Sequence, residues 1–204
     1  LLGRNVTFFV QGYDKESLIK YGKGNKLKRW INIICWNQLC KKKLDAIYVS
    51  RNLASFYGQN TRWFQKAIIT NFIDESFIAI IPRSERKYDF GFIFRDNPNK
   101  RSETLLSALK VCAERNSARI LCLISPDSLD IQVPSISGVD YIRCDDFFSM
   151  NEFYNSIKIF VSYSRSEGFN LPVREAIQSG CFVLSSRDGG VDDMFKTSMN
   201  IKEI

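Results

Sequence analysis

Apolar and polar positions fall into a regular pattern in the second half of the chain. From about residue 88 onward, short apolar runs alternate with stretches whose apolar positions recur at helical spacing. The pattern predicts a strand over Asp89–Phe94 and a polar loop over Arg95–Arg101. A helix capped by Ser102 follows, carrying Leu105, Leu109 and Cys112 on one face. Next come a buried strand over Arg119–Ile124, a weaker one over Asp140–Ile142, a short helix over Met150–Ser156 and a strand over Lys158–Ser162. Pro172 suits the first turn of another helix, which Gly180 closes, and Cys181–Ser185 reads as a strand. Gly189-Gly190 forms a turn before a last helical stretch.

The first half is less regular. Strands are predicted over Asn5–Val10, Leu44–Val49 and Ala67–Thr70. Trp30–Leu39 reads as helix or strand, and Ser50 caps a helix running through Phe56. Asn71–Phe77 is a connector, and a break near residues 70–85 divides the chain into segments 1–75 and 76–204. Strands alternating with helices define an α/β protein, a Rossmann-like parallel sheet with helices on both faces. In such sheets ligands bind outside the carboxyl ends of the strands. The loops after Phe94, Ile124, Ser162 and Ser185 are therefore the places to look for chemistry.

Composition narrows that chemistry. The 204 residues include no histidine, so a His-based triad, a His-ligated zinc and an imidazole base are excluded. Lys and Arg exceed Asp and Glu by 29 to 22, which suits anionic partners or simply a well-solvated lysine surface. The cations are not interleaved with aromatic residues, so a nucleic-acid surface is not expected. Six cysteines lie mostly in apolar runs and none forms C-x-x-C, which reads as buried reduced thiols of a cytoplasmic protein. No apolar run approaches the ~20 residues of a spanning helix.

Two segments carry candidate chemistry. In Ser164–Glu175 a strand runs into a loop that feeds a helix start. Backbone N–H groups from Gly168 to Leu171 would point outward there, and the helix dipole favours an anion. Glu167 and Glu175 would accept hydrogen bonds from hydroxyls beside that anion. An ordinary helix start with an acidic flank fits the same residues. The second segment, Arg95-Asp96-Asn97-Pro98-Asn99-Lys100-Arg101, places cations at a strand's carboxyl end, where they would hold a diphosphate or form a solvated basic turn.

The run E-G-F-N-L-P-V-R-E, followed by Ala176, Gly180, Val183 and Gly189-Gly190 with Asp193, resembles the nucleotide-binding half of glycosyltransferase family 4 and its GT-B-fold relatives. Their signature is E-G-F-G-L-P-x-x-E; Glu167 and Glu175 keep its spacing, and Asn170 stands where the family has Gly. Arg95 matches the family's G-R, and Lys100 or Arg101 its second cation, without the flanking glycines. Asn71 and Asp74 resemble the family's P-N-G-[IV]-D connector. Gln11-Gly12-Tyr13-Asp14 resembles a first-domain strand end found in polysaccharide-building relatives; Gln11 reads equally as a ligand contact and as a satisfied loop amide.

The resemblance implies a retaining, metal-independent, hexosyltransferase-type enzyme with no cofactor, using a nucleotide diphosphate sugar as donor and a glycan or lipid-linked acceptor. By that resemblance Arg95, Lys100 or Arg101 stabilise the leaving diphosphate. Glu167 and the amides of Gly168, Phe169, Asn170 and Leu171 hold the donor sugar, and Glu175 holds the ribose. It also implies a chain shorter than a complete enzyme, with residues 1–75 a remnant of the acceptor-side domain and 76–204 the nucleotide-sugar domain without its final helices. A non-catalytic nucleotide-sugar-binding or scaffold subunit of the same fold is the alternative. The basic stretches Lys20–Arg29, with Trp30, and Lys41–Lys43 suit the anionic inner face of a membrane or a solvated surface.

Overall fold

A computed structural model describes residues 7–11, 26–128, 130, 135–143, 149–192 and 194–204. The chain forms two compact units, Leu1–Phe72 with Ser166–Phe169, and Ile73–Arg165 with Asn170–Ile204.

The first unit contains β1 (Thr7–Val10), α1 (Lys26–Cys40), β2 (Asp45–Tyr48), α2 (Arg51–Asn60) and β3 (Phe64–Ile68). The strands form a parallel sheet in the order β1-β2-β3. The segment that read as helix or strand is helical. Ser50 caps α2 as expected, its side chain accepting from the Leu53 N–H. β3 begins upstream of its predicted position. Its first three residues are exposed, so no apolar alternation marks it. The core is aromatic: Tyr57 stacks on Trp63 at 5.3 Å and on Tyr48 at 6.1 Å.

The second unit contains β4 (Tyr88–Phe94), α3 (Ser102–Asn116), β5 (Ile120–Ile124), β6 (Val139–Arg143), α4 (Met150–Ser156), β7 (Ile157–Ser162), α5 (Leu171–Gln178), β8 (Phe182–Ser185), α6 (Met194–Thr197) and β9 (Ile201–Glu203). All six strands are parallel, in the order β6-β5-β4-β7-β8-β9. This is the doubly wound pattern, in which the first strand of the unit lies centrally and the order reverses beside it. Period-two alternation divides the core between the two faces. Leu121 and Leu123 pack with Tyr154, Val173 and Ala176 on one side. Ile120, Cys122 and Ile124 pack with Leu105, Leu106 and Leu109 of α3 on the other. β5 is accordingly buried along its whole length.

The cysteines depart from expectation. Cys122 and Cys181 are buried, but Cys35 is exposed and Cys112 partly so. Burial raises the Cys122 thiol to about 12. Cys144 lies outside the described residues, as do residues 20–25 of the basic stretch Lys20–Arg29 and the predicted Gly12-Tyr13-Asp14.

Candidate functional site

The strand order of the second unit reverses between β4 and β7, and a crevice opens at the carboxyl ends of strands placed this way. A cleft lies there, lined by Ile93, Arg95, Lys100, Leu105, Phe160–Ser164, Asn170 and Pro172. Arg95 is the first residue beyond β4, and Pro172 lies in the first turn of α5. The two halves of the predicted anion site thus face one cleft within one unit.

The loop from Arg95 to Arg101 is held from several sides. The Ser102 hydroxyl accepts from the Arg95 N–H at 3.0 Å and donates to the Arg95 carbonyl at 2.9 Å. Contrary to the sequence expectation, Ser102 does not cap α3. It is the first helical residue, and its hydroxyl is spent on the loop. Asp96 N–H donates to Ser128 Oγ at 2.8 Å, and Arg165 N–H to the Asn99 carbonyl at 2.8 Å. Arg101 takes the cap position in a left-handed conformation with φ 50°, a backbone region that favours glycine. Its guanidinium lies 4.8 Å from the Tyr163 ring centre. A second cleft, adjoining the first through Arg95 and Tyr163, is lined by Arg101 and Arg165. Of the two candidates for a second cation, Lys100 shares the β4–β7 cleft and Arg101 lines its neighbour.

The start of α5 is shaped by Asn170, which is buried and left-handed at φ 54° and ψ 65°. Its amide donates to Asp188 Oδ2 at 2.6 Å and to Ser162 Oγ at 3.3 Å, and makes no cap bond to the helix. Asp188 is also buried and accepts from the Gly190 N–H at 2.9 Å. The Gly-Gly turn and the helix start are thereby joined. Leaving the side chain out of the cap keeps the N-terminal N–H groups of α5 available to a bound anion.

Glu175 lies one turn further along α5. Burial raises its carboxyl above the ordinary range, while the hydrogen bond from Tyr154 and the charge of Arg95 act in the opposite sense. The Tyr154 hydroxyl donates to Glu175 Oε2 at 2.9 Å. Arg95 also helps hold Asp127 below the usual carboxylate range, behind the larger effect of the Ser125 hydroxyl. One guanidinium thus lies within electrostatic reach of two carboxyl groups in this unit.

Glu167, Gly168 and Phe169 belong to the first unit, as does Gln11. Phe169 is buried and Gln11 exposed. A Cβ on Gly168 would run into the Gln11 carbonyl, so this close approach requires glycine at position 168. Leu171 is the first residue of α5 and half-buried. Asp193 lies outside the described residues.

Sequence reasoning overlooks Tyr154 and Asp188. Tyr154 sits beside Phe153 on the buried part of a short helix and reads as core; only a polar handle on a fully buried ring hints at more. Among the described residues no cluster of three His, Cys, Asp or Glu side chains could hold a metal ion. Nor is any helix among them long and apolar enough to cross a membrane.

A doubly wound parallel domain with cations and a helix start at its switch point defines an open-sheet α/β protein whose crevice suits an anion. The model of the glycosyl transferases group 1 family matches residues 87–201, more than half of the chain, and the chain belongs to that family. Its fold is the GT-B type. The crystal structure of WaaG, a glycosyltransferase involved in lipopolysaccharide biosynthesis, matches with TM-score 0.68 at 12% identity over 97% of this chain and 60% of that one. Sucrose-phosphate synthase from Thermosynechococcus elongatus matches with TM-score 0.66 at 14% identity, over 97% of this chain and 53% of that one. TarM matches with TM-score 0.63 at 16% identity, over 97% and 40%. The chain thus spans 60% or less of the length of these proteins. No curated protein matches the sequence.

Proposed function

We propose that this chain is the nucleotide-sugar-binding part of a glycosyltransferase that moves a sugar from a nucleoside diphosphate sugar to an acceptor hydroxyl. The observation that carries the reading is the β4–β7 cleft, which gathers Arg95, Lys100 and the start of α5 at the switch point of a parallel sheet. A leaving diphosphate gains negative charge in the transition state. Arg95 and Lys100, with the N–H groups opening α5, supply the positive potential to stabilise it. By the family resemblance, Glu175 accepts from the ribose hydroxyls. The family resemblance supplies the remaining assignments: Arg101 as an alternative second cation, Glu167 and the amides of Gly168–Leu171 on the donor sugar, and Gln11 on donor or acceptor. It also supplies retention of configuration, independence of metal, a glycan or lipid-linked acceptor in polysaccharide or glycoconjugate synthesis, a cytoplasmic location with or without peripheral contact at the inner membrane face, and residues 1–75 as part of an acceptor-side domain. One neighbouring structure, a pneumococcal O-GlcNAc transferase called GtfA, is described in complex with UDP and GlcNAc (TM-score 0.54, 14% identity).

The test begins with a thermal-shift panel of UDP, GDP and ADP and their sugars on the intact protein, since a ligand of the native state raises its melting temperature. Arg95→Ala and Glu175→Ala should each reduce sugar transfer by well over ~10-fold, as expected for lost stabilisation of developing charge. Unchanged transfer in both variants overturns the reading. Nucleotide binding without any turnover would instead favour a non-catalytic subunit.

A further inference from the structure

We propose that Tyr154 is a positioning residue for nucleotide recognition: its buried hydroxyl holds one oxygen of Glu175, so that the carboxylate meets the vicinal hydroxyls of a ribose in a fixed orientation. The proposal rests on the reading of Glu175 as the ribose-holding carboxylate, and its test separates the two.

The geometry is specific. The Tyr154 side chain is fully buried, and its hydroxyl reaches Glu175 Oε2 at 2.9 Å. The ring is fixed edge-on against Phe77 at 5.8 Å, Phe153 at 5.3 Å and Phe160 at 5.5 Å. The backbone is fixed as well, because the Tyr154 carbonyl accepts from Arg86 Nη1 at 3.1 Å and from Cys181 Sγ at 3.2 Å. A phenol tied down on both sides is a rigid donor. A phenylalanine would fill the same aromatic nest, so packing does not require the hydroxyl.

Chemistry adds a reason for a donor here. Glu175 is partly desolvated, which favours its neutral form, and a neutral carboxyl is a poorer acceptor for sugar hydroxyls. The phenol acts against that tendency. Burial and the neighbouring carboxylate push its own ionisation well above the ordinary tyrosine range, so it remains protonated and always donates. The other described groups that act on this pair are Arg95, from the loop after β4, and Cys181, at the foot of β8. Cys181 is raised to about 11 by burial and stays neutral through the working range. The sign is therefore fixed. Removing the hydroxyl raises the Glu175 pKa further, and binding through that carboxylate then weakens as pH falls.

The experiment measures binding of UDP, GDP and ADP, each beside its 2′,3′-dideoxy counterpart, from about pH 5 to about pH 8.5. It compares the intact protein with Y154F, E175Q and the double variant. The expected result is that Y154F binds the ribonucleotides ~10-fold more weakly at about pH 6, with the deficit narrowing as pH rises. The dideoxy compounds should bind wild type and Y154F alike, and Y154F should add nothing to E175Q. An equal loss for both kinds of nucleotide, a deficit independent of pH, or no loss at all overturns the positioning role. If E175Q leaves ribonucleotide binding intact, or no nucleotide binds, the underlying reading of Glu175 fails as well. If Y154F melts below the assay temperature, 3-fluorotyrosine placed at position 154 replaces it. That phenol is a stronger donor and should move the acid limb to lower pH; an unmoved limb overturns the proposal.

Discussion

Asn170 shows how a single residue meets a backbone demand. At φ 54° the left-handed conformation costs an ordinary side chain ~1–2 kcal/mol, and Gly and Asn tolerate it best. Here Asn also supplies a buried hydrogen bond to Asp188, which glycine cannot. Asn170→Gly should keep the loop conformation and lose that bond, leaving a buried carboxylate short of a donor. Asn170→Ala should suffer both losses. The expected order of melting temperatures is wild type, then Gly, then Ala, with Ala lower than Gly by the equivalent of ~1 kcal/mol. A variant with Ala as stable as that with Gly would contradict the backbone argument. The sequence displays the departure from E-G-F-G-L-P but not its compensation, because Asp188 lies in a different loop and becomes a neighbour only when β7 and β8 pair. The same holds for Glu175. Its spacing from Glu167 is legible, whereas the phenol that holds it lies in a short helix 21 residues earlier and reads as core.

At the scale of elements, strands buried on both faces and helices with clear caps were the most legible. β5 is an uninterrupted apolar run, and α4 carries the full reciprocal capping box of Ser149 and Glu152. Elements without such marks were lost or shifted. β9 has one buried residue, Ile201, and no alternation long enough to recognise. The end of α3 is likewise unmarked in the sequence: helices commonly close on a left-handed glycine, but Ser117 occupies that position at φ 53°. The absence of glycine removed the usual stop signal, and it leaves strain in place. Ser117 is exposed, and neither its hydroxyl nor its Cβ is needed for burial. Ser117→Gly should therefore stabilise the protein by about 1 kcal/mol, a rise of about 2–4 °C in melting temperature for a chain of this size. Calorimetry of the variant measures this directly, and a lowered melting temperature would show that the left-handed serine is not strained.

At the scale of the whole second unit, the organising feature is a cation outside the lining of the β4–β7 cleft. Arg86 is 3% exposed and faces no carboxylate in any described contact. Its guanidinium donates instead to the carbonyls of Ile81 at 3.0 Å, Tyr154 at 3.1 Å, Ile157 at 3.1 Å and Ser179 at 2.7 Å, and to Cys181 Sγ at 3.3 Å. Tyr154 and Ser179 stand at the carboxyl ends of α4 and α5, where helix dipoles present negative charge. One side chain thus closes two helices, joins them to the strands that follow and draws in the segment leading to β4. Asn155 secures the same segment, accepting from the N–H groups of Ile80 at 2.7 Å and Ile81 at 3.1 Å. Along the sequence this stretch looks like a break in the pattern, since its partners are about 70 residues away. Periodicity reports which face of an element is buried, but it carries no information about which carbonyls an element end leaves for another segment to satisfy. Arg86→Met keeps much of the volume and removes every donor, stranding several buried carbonyls. The expected loss is about 3–5 kcal/mol, of the size measured when one side of a buried charged network is deleted. That is a large share of the ~5–15 kcal/mol stability of a typical domain. Urea unfolding of the variant should show a midpoint displaced far more than for Arg101→Met, whose guanidinium is only half-buried and stacks on one ring. Equal displacements would mean that the helix ends of the second unit do not depend on Arg86.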